Sequence, residues 1–318
     1  MKKLVIEFSN ERLITPSGLS LVGQMLGKSN FIKMCNNMKV DGKRSQSQIK
    51  NGDILLSYIG LLCQGKTSYD AINEMSDDPE YYKLALGITR AIPSAETLRQ
   101  RMDEIGSSLR EEILNANVAM FNTFHVQPSA LESELVPLDL DVTPMDNSKT
   151  HKEGVSKTIT MRIVYEVIER TTDKNGQFLL VPDIECNTIW TNLGWSDDDI
   201  IKGYHAHGEC EQFHSEIKTD MDVERLPSGK FDTNELVLEL TVLAYNILRL
   251  IGQESMKSKR APKTKHPVKR RRIRTVIGNL IQIAGHVTTH GRRIALAIGC
   301  SNVWRHAFMD VYNRFALA

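Results

Sequence analysis

TITMRIVYEVIERTTDKNGQFLLVPDIECNTIWTNLGWSDDDIIKGYHAHGECEQFHSEIKTDM, Thr158 to Met221, is the stretch that decides the fold class. TITMRIVYEVIER and QFLLVPDIEC are β-branched or apolar runs. Between them TTDKNG carries Asn175-Gly176, a pair that accepts the positive φ of a tight hairpin turn, so two antiparallel strands are predicted. IWTNL reads as a short third strand. Ser196 then precedes Asp197, Asp198 and Asp199, a capping hydroxyl followed by three carboxylates suited to a helix N-terminus, and a helix is predicted through Met221. Strands followed by such a helix define a mixed α/β core.

Upstream, ELVPLDLDVTPMD alternates apolar and acidic residues, which puts Asp139, Asp141 and Thr143 on one strand face and Leu138, Leu140 and Val142 on the other. Further forward the pattern is helical. Leu19, Val22, Leu26 and Ile32 have roughly helical spacing; IKNGDILLSYIGLLCQG ends at a C′-type glycine, Gly65; and Tyr69, Ile72 and Met75 recur every third residue. In RAIPSAETLRQRMDEIGSSLREEILNANVAMF, Ser94 caps and Leu98, Met102, Ile105, Leu109 and Ile113 form one stripe flanked by Arg99 and Arg101. Downstream, NELVLELTVLAYNILRLIG predicts a buried helix, VIGNLIQIAGHVTTHGRRIALAIG fits either a helix or a hairpin, and VWRHAFMDVYNRF predicts a final helix.

With 318 residues, 41% of them hydrophobic, the chain has ample material for a core and is not expected to be disordered. The run from Asn234 to Gly252 is interrupted by Glu235, Glu239 and Arg249, so no membrane span is predicted, and the opening MKKLVIEF is too briefly apolar to suggest a signal peptide. Five cysteines at wide spacings, without a CxxC pair, fit a reducing cytoplasm rather than a disulfide framework. The net charge of +1 conceals an asymmetry: Arg249 to Arg293 holds 13 Lys and Arg against Glu254 alone, leaving −11 for the remainder. From Leu131 to Asn147 there are five acids and no base, and a divalent cation is one way to tolerate them.

His207, Glu211, His214 and Lys218 follow one another at steps of four, three and four, with Tyr204 one turn earlier, so they share a helix face. A solvated face with ordinary i,i+4 pairs would read the same way. Zinc held by His207, Glu211 and His214 is another reading, although HExxH is absent. A third is phosphoryl transfer, in which a strand carboxylate and a later helix glutamate hold two divalent ions about 3.5–4 Å apart on one scissile phosphate.

YHAHGECEQFHSEIKTDM resembles the tyrosine, arginine, glutamate, lysine signature of DDE-type insertion-sequence transposases, with Tyr204, His207 in the arginine place, Glu211 and Lys218 at matching intervals. LDLDVT resembles that family's first-aspartate strand, pointing to Asp141 and Thr143, and the similarity extends to WTNL, to ERLPSGKFDTNELVLELTVLAYNILR and to IPSAETLRQRM. The likeness is to the group-1 DDE transposases of bacterial mobile elements. It implies an RNase H-like mixed sheet and a helical N-terminal DNA-binding domain. It also implies Mg²⁺ or Mn²⁺ on Asp141 and Glu211, with Tyr204, His207 and Lys218 positioning the strand. The partner it implies is the double-stranded DNA of the terminal inverted repeats, bound by paired protomers.

Two departures qualify that picture. His207 stands where the family has arginine, and no second aspartate is found, because Thr158 runs directly into ITMRIVYEV where family members carry a longer stretch. An internal deletion near residue 158 is therefore expected, leaving two of three metal ligands and a chain that binds transposon ends without cutting them. A non-catalytic DNA-binding remnant that inhibits intact transposase, and a zinc-binding scaffold, are the other functional readings. The expected regions are 1–128, helical and DNA-binding; 129–252, the catalytic core; and 253–318, a basic arm and C-terminal part. Ten Lys and Arg with no acid between Lys257 and Arg274 predict phosphate contacts by Lys269, Arg270, Arg271, Arg272 and Arg274, joined by Arg99 and Arg101 at the front.

Overall fold

A computed structural model describes residues 6, 8–29, 31–37, 49–127, 161–264, 266–291 and 293–317. The first half comprises β1 (Arg12–Ile14), α1 (Leu19–Lys28), α2 (Phe31–Asn37), α3 (Asn51–Leu62), α4 (Pro79–Leu86), α5 (Ala95–Ile105) and α6 (Arg110–Thr123). Then come β2 (Arg162–Thr172), β3 (Phe178–Thr191), α7 (Asp197–Ser215), α8 (Phe231–Met256), α9 (Ile273–Val276), β4 (Gly285–His290), β5 (Arg293–Ile298) and α10 (Arg305–Leu317). The protein is thus mixed α/β, with many helices and two small antiparallel sheets, ordered β1-β4-β5 and β2-β3. An RNase H-like sheet is not among the described elements.

The chain divides into two compact units, Met1–Val126 with Ser215–Ala318, and Gln127–His214. In the first of these the N-terminal helices and the C-terminal segment close one core together. The strand carrying Asp139, Asp141 and Thr143 lies outside the described residues.

In the first unit α3 is buried from Gly52 through Leu62, and α8 packs against α3, α5, α6, α9 and α10. The stripe Leu98, Met102, Ile105, Leu109 and Ile113 is wholly buried, as its period requires, but it spans α5, a 3₁₀ turn at Gly106–Ser108 and α6 rather than one helix. At that break a Cβ on Gly106 would lie 3.0 Å from the Asp232 carbonyl carbon, so the two segments cross at close range there. Ser94 accepts from the Thr97 N–H at 3.2 Å, the predicted cap. Tyr69, Ile72 and Met75, spaced by three, are buried on a 3₁₀ helix, Tyr69–Ser76, whose period is three. The ambiguous segment after Arg272 is both things in turn: helical through a π turn at Ile277–Ile281, then the β4-β5 hairpin with Gly291 at φ +58°.

In the second unit β2 and β3 pair antiparallel around Gly176, at φ +82°, with the Asp173 carboxylate accepting from the N–H groups of Asn175 and Gln177. IWTNL is not a separate strand. Ile189, Trp190 and Thr191 continue β3, and register with Val164, Ile163 and Arg162 of β2. The ladder runs on past Cys186 through Asn187 and Thr188, which face Glu166 and Tyr165. One face packs on α7 through Val164, Ile189 and Ile200, with Trp195 and Ile201 at the margin. The other face leaves Ile163, Tyr165, Val167, Ile184 and Trp190 exposed.

Candidate active site and nucleic-acid interface

Helix α7 forms because Ser196 accepts from the Asp199 N–H at 3.2 Å and three carboxylates follow in the first turn, where the helix dipole favours anions. Its position on the hairpin is fixed twice. Ile200 enters the small apolar cluster, and Arg162 of β2 pairs with Asp197 while donating to the Trp195 carbonyl at 2.7 Å.

That anchoring leaves Tyr204, Glu211 and His214 exposed, and Glu211 makes no hydrogen bond or ion pair among the described residues. The backbone of His207 belongs to the same helix. The α-helix stops at Ser215, so Lys218 falls in a π turn, Glu216–Asp220, within the other unit. Among the described residues no three His, Cys, Asp or Glu side chains gather as a metal site.

The side chain that α7 does bring to the sheet is His205, which sequence reasoning missed. Its Nε2 lies 3.0 and 2.9 Å from the two carboxylate oxygens of Glu166 on β2, and the Asn187 amide approaches the same carboxylate at 3.4 Å. The hydrogen bond from His205, aided by Asn187, holds the Glu166 carboxyl below the ordinary glutamate range. The signal was present in the hairpin register, which sets Glu166 opposite Asn187, and in the i,i+4 step from Ile201 to His205.

Part of the basic segment is held by internal partners. Arg270 pairs with the buried Glu216 at 2.5 Å, and Tyr245 donates its hydroxyl to that carboxylate at 3.2 Å. Burial, reinforced by the Glu216 charge, pushes the Tyr245 phenol up. Arg272 bonds both oxygens of Asp220, at 2.8 and 3.0 Å. Arg271 is buried: it donates to Ser255 Oγ and the Pro262 carbonyl at 3.0 and 3.1 Å, with its guanidinium 4.6 Å from the Trp304 ring centroid. Burial without a carboxylate partner lowers its pKa. The countercharges lie outside the segment. For these three to hold phosphates, each internal partner would have to be released.

Lys259, Lys263 and Arg274 are exposed and make no side-chain pair among the described residues, while Arg260 is held by Asp310 at 2.5 Å. At the front Arg99 pairs with Glu96 at 2.6 Å, and Arg101, mostly covered, bonds the Asn51 side chain and Glu104.

A family model described as transposase DDE domain group 1 matches residues 156–318, half of the chain, and the chain belongs to that family. No curated protein and no solved structure matches it. No helix among the described residues is long and apolar enough to cross a membrane.

Proposed function

We propose that the chain is the transposase of a bacterial insertion sequence, binding the terminal inverted repeats of its element as a homo-oligomer in the cytoplasm. The observation that carries this reading is the family match, which includes Tyr204, His207, Glu211 and Lys218. Exposed and unengaged among the described residues, Glu211 is chemically suited to hold a hard divalent cation such as Mg²⁺ or Mn²⁺. Asp141 is its proposed co-ligand. The ion, when bound, would polarise the scissile phosphate and lower the pKa of the attacking water or 3′-hydroxyl. Tyr204, His207 and Lys218 hold the DNA strand; His207 does so as a donor less constantly charged than arginine.

Phosphate contacts along the duplex are assigned to Arg274 and Lys269, and Lys259 and Lys263 are added because those two lysines are exposed and have no internal partner among the described residues. Arg99 and Arg101 remain candidates at the helical front. Because no second aspartate accompanies Asp141 and Glu211, this chain is proposed to occupy transposon ends without cutting them.

Mn²⁺ titration of the parent chain, Asp141→Ala and Glu211→Ala tests the metal site, since each substitution removes an anionic ligand and should weaken binding. Equal affinity in all three would remove the shared site. Mg²⁺-dependent cleavage of end DNA by the parent chain, abolished in Glu211→Ala, would show that another carboxylate completes the set, and would overturn the inactive reading alone.

A further inference from the structure

We propose that Arg270 and Arg272 are positioning residues that hold the turn bearing Lys218, rather than phosphate contacts. The inference rests on the reading that Lys218 meets DNA. Lys218 is the middle residue of the π turn Glu216–Asp220, with the Met221 N–H reaching back to the Glu216 carbonyl at 3.1 Å. Wide turns of this kind are rare and occur frequently at functional sites.

Support is applied at both ends. Glu216, the first residue, is 3% exposed, and the Asp220 side chain, the last, is 0% exposed. A carboxylate so deeply covered is costly unless charged donors compensate it. Arg270 and Tyr245 serve Glu216; the fork of Arg272 and the Arg274 N–H, at 3.2 Å, serve Asp220. Lys218, two residues from either anchor, is left exposed.

The downstream segment is suited to this. Consecutive side chains there engage different neighbours. Arg270 and Arg272 accordingly face the turn, and Arg271 faces Ser255 and Trp304.

The test measures how affinity for a labelled random-sequence duplex depends on salt, for the full chain, Lys218→Ala, Arg272→Gln, the double variant and Asp220→Asn, with thermal unfolding recorded for each. One lost phosphate contact lowers the slope by about 0.9. The proposal expects Lys218→Ala and Arg272→Gln each to lower it by about 1, and the double variant to lower it by about 1 again rather than by about 2. Asp220→Asn is the sharper arm. It frees the Arg272 cation, so a phosphate-contact role predicts an unchanged or steeper slope, whereas a clamp predicts the loss seen in Lys218→Ala. Additive losses, or a full slope in Asp220→Asn, overturn the clamp and leave the DNA reading of Lys218 intact. If Lys218→Ala itself binds like the parent, that reading fails, and the clamp falls with it. Should Arg272→Gln not fold, Asp220→Asn and Arg272→Lys, which keeps charge without the bidentate fork, give the same decision.

Discussion

Single residues in this protein divide by where their charge is answered. Glu166 and His205 answer each other on an exposed face, so the pair should add little stability. Its chemical consequence is clearer. The carboxyl of Glu166 is held low by the His205 hydrogen bond, so whatever stability it adds is present above the ordinary glutamate range and lost as pH falls through its own lowered pKa. A carboxyl-resolved NMR titration should find Glu166 below a free glutamate, and His205→Ala should move it upward. No movement would mean that the contact is not kept in solution. Arg271 behaves in the opposite way. Its stack on Trp304 and its bonds to Ser255 and Pro262 are internal, so Arg271→Ala should cost about 1–3 kcal/mol in urea unfolding while leaving the salt dependence of DNA binding unchanged.

Elements are decided by close approach as much as by propensity. In α1 a Cβ on Gly23 would lie 1.8 Å from the Ala85 carbonyl oxygen, whereas one on Gly27 would meet nothing within 4 Å. Gly23→Ala is therefore expected to destabilise by at least about 2 kcal/mol through forced separation of α1 from α4, and Gly27→Ala to stabilise by about 0.5–1 kcal/mol. Urea midpoints at constant m would check both; equal effects would rule out the tight crossing. Periodicity made much of this level legible. The Leu98–Ile113 stripe, the Asn175-Gly176 turn and the three-residue spacing of Tyr69, Ile72 and Met75 all encode their structures locally. What was not legible depended on distant chain. Gly106, between α5 and α6, lies against the backbone of Asp232, and the turn after Ser215 has its two carboxylates paired with Arg270 and Arg272.

For the molecule as a whole, the same distance separates the sequence's charge asymmetry from its use. Ten cations in eighteen residues look like a free arm until Glu216, Asp220 and Asp310 are placed beside them. No local count could find those partners, which lie 52 to 54 residues away for Arg270 and Arg272. The candidate site was legible only as a helix face. Its Glu211 is open as the stripe suggested, while Lys218 belongs to a turn whose support comes from elsewhere. The cations without partners carry the remaining expectation. Lys259→Ala, Lys263→Ala and Arg274→Ala together should weaken binding to all duplexes about equally and lower the salt slope by up to about 3. An unchanged slope would assign the duplex to another surface.

The β1-β4 ladder joins Arg12–Ile14 to Gly285–Val287, with Ser17 and Gly18 donating to the carbonyls of Ile283 and Ile281. A ribosome that has made Arg12–Ile14 must add some 270 residues more before these hydrogen bonds can form. At about 5–20 residues per second that wait is on the order of a quarter of a minute or more. Until then α1 can pack on α4 but not on α10, and premature termination anywhere before β4 leaves it without that part of its cover. The unit is therefore completed only after most of its own translation, and nascent fragments of it are natural clients for chaperones and proteases.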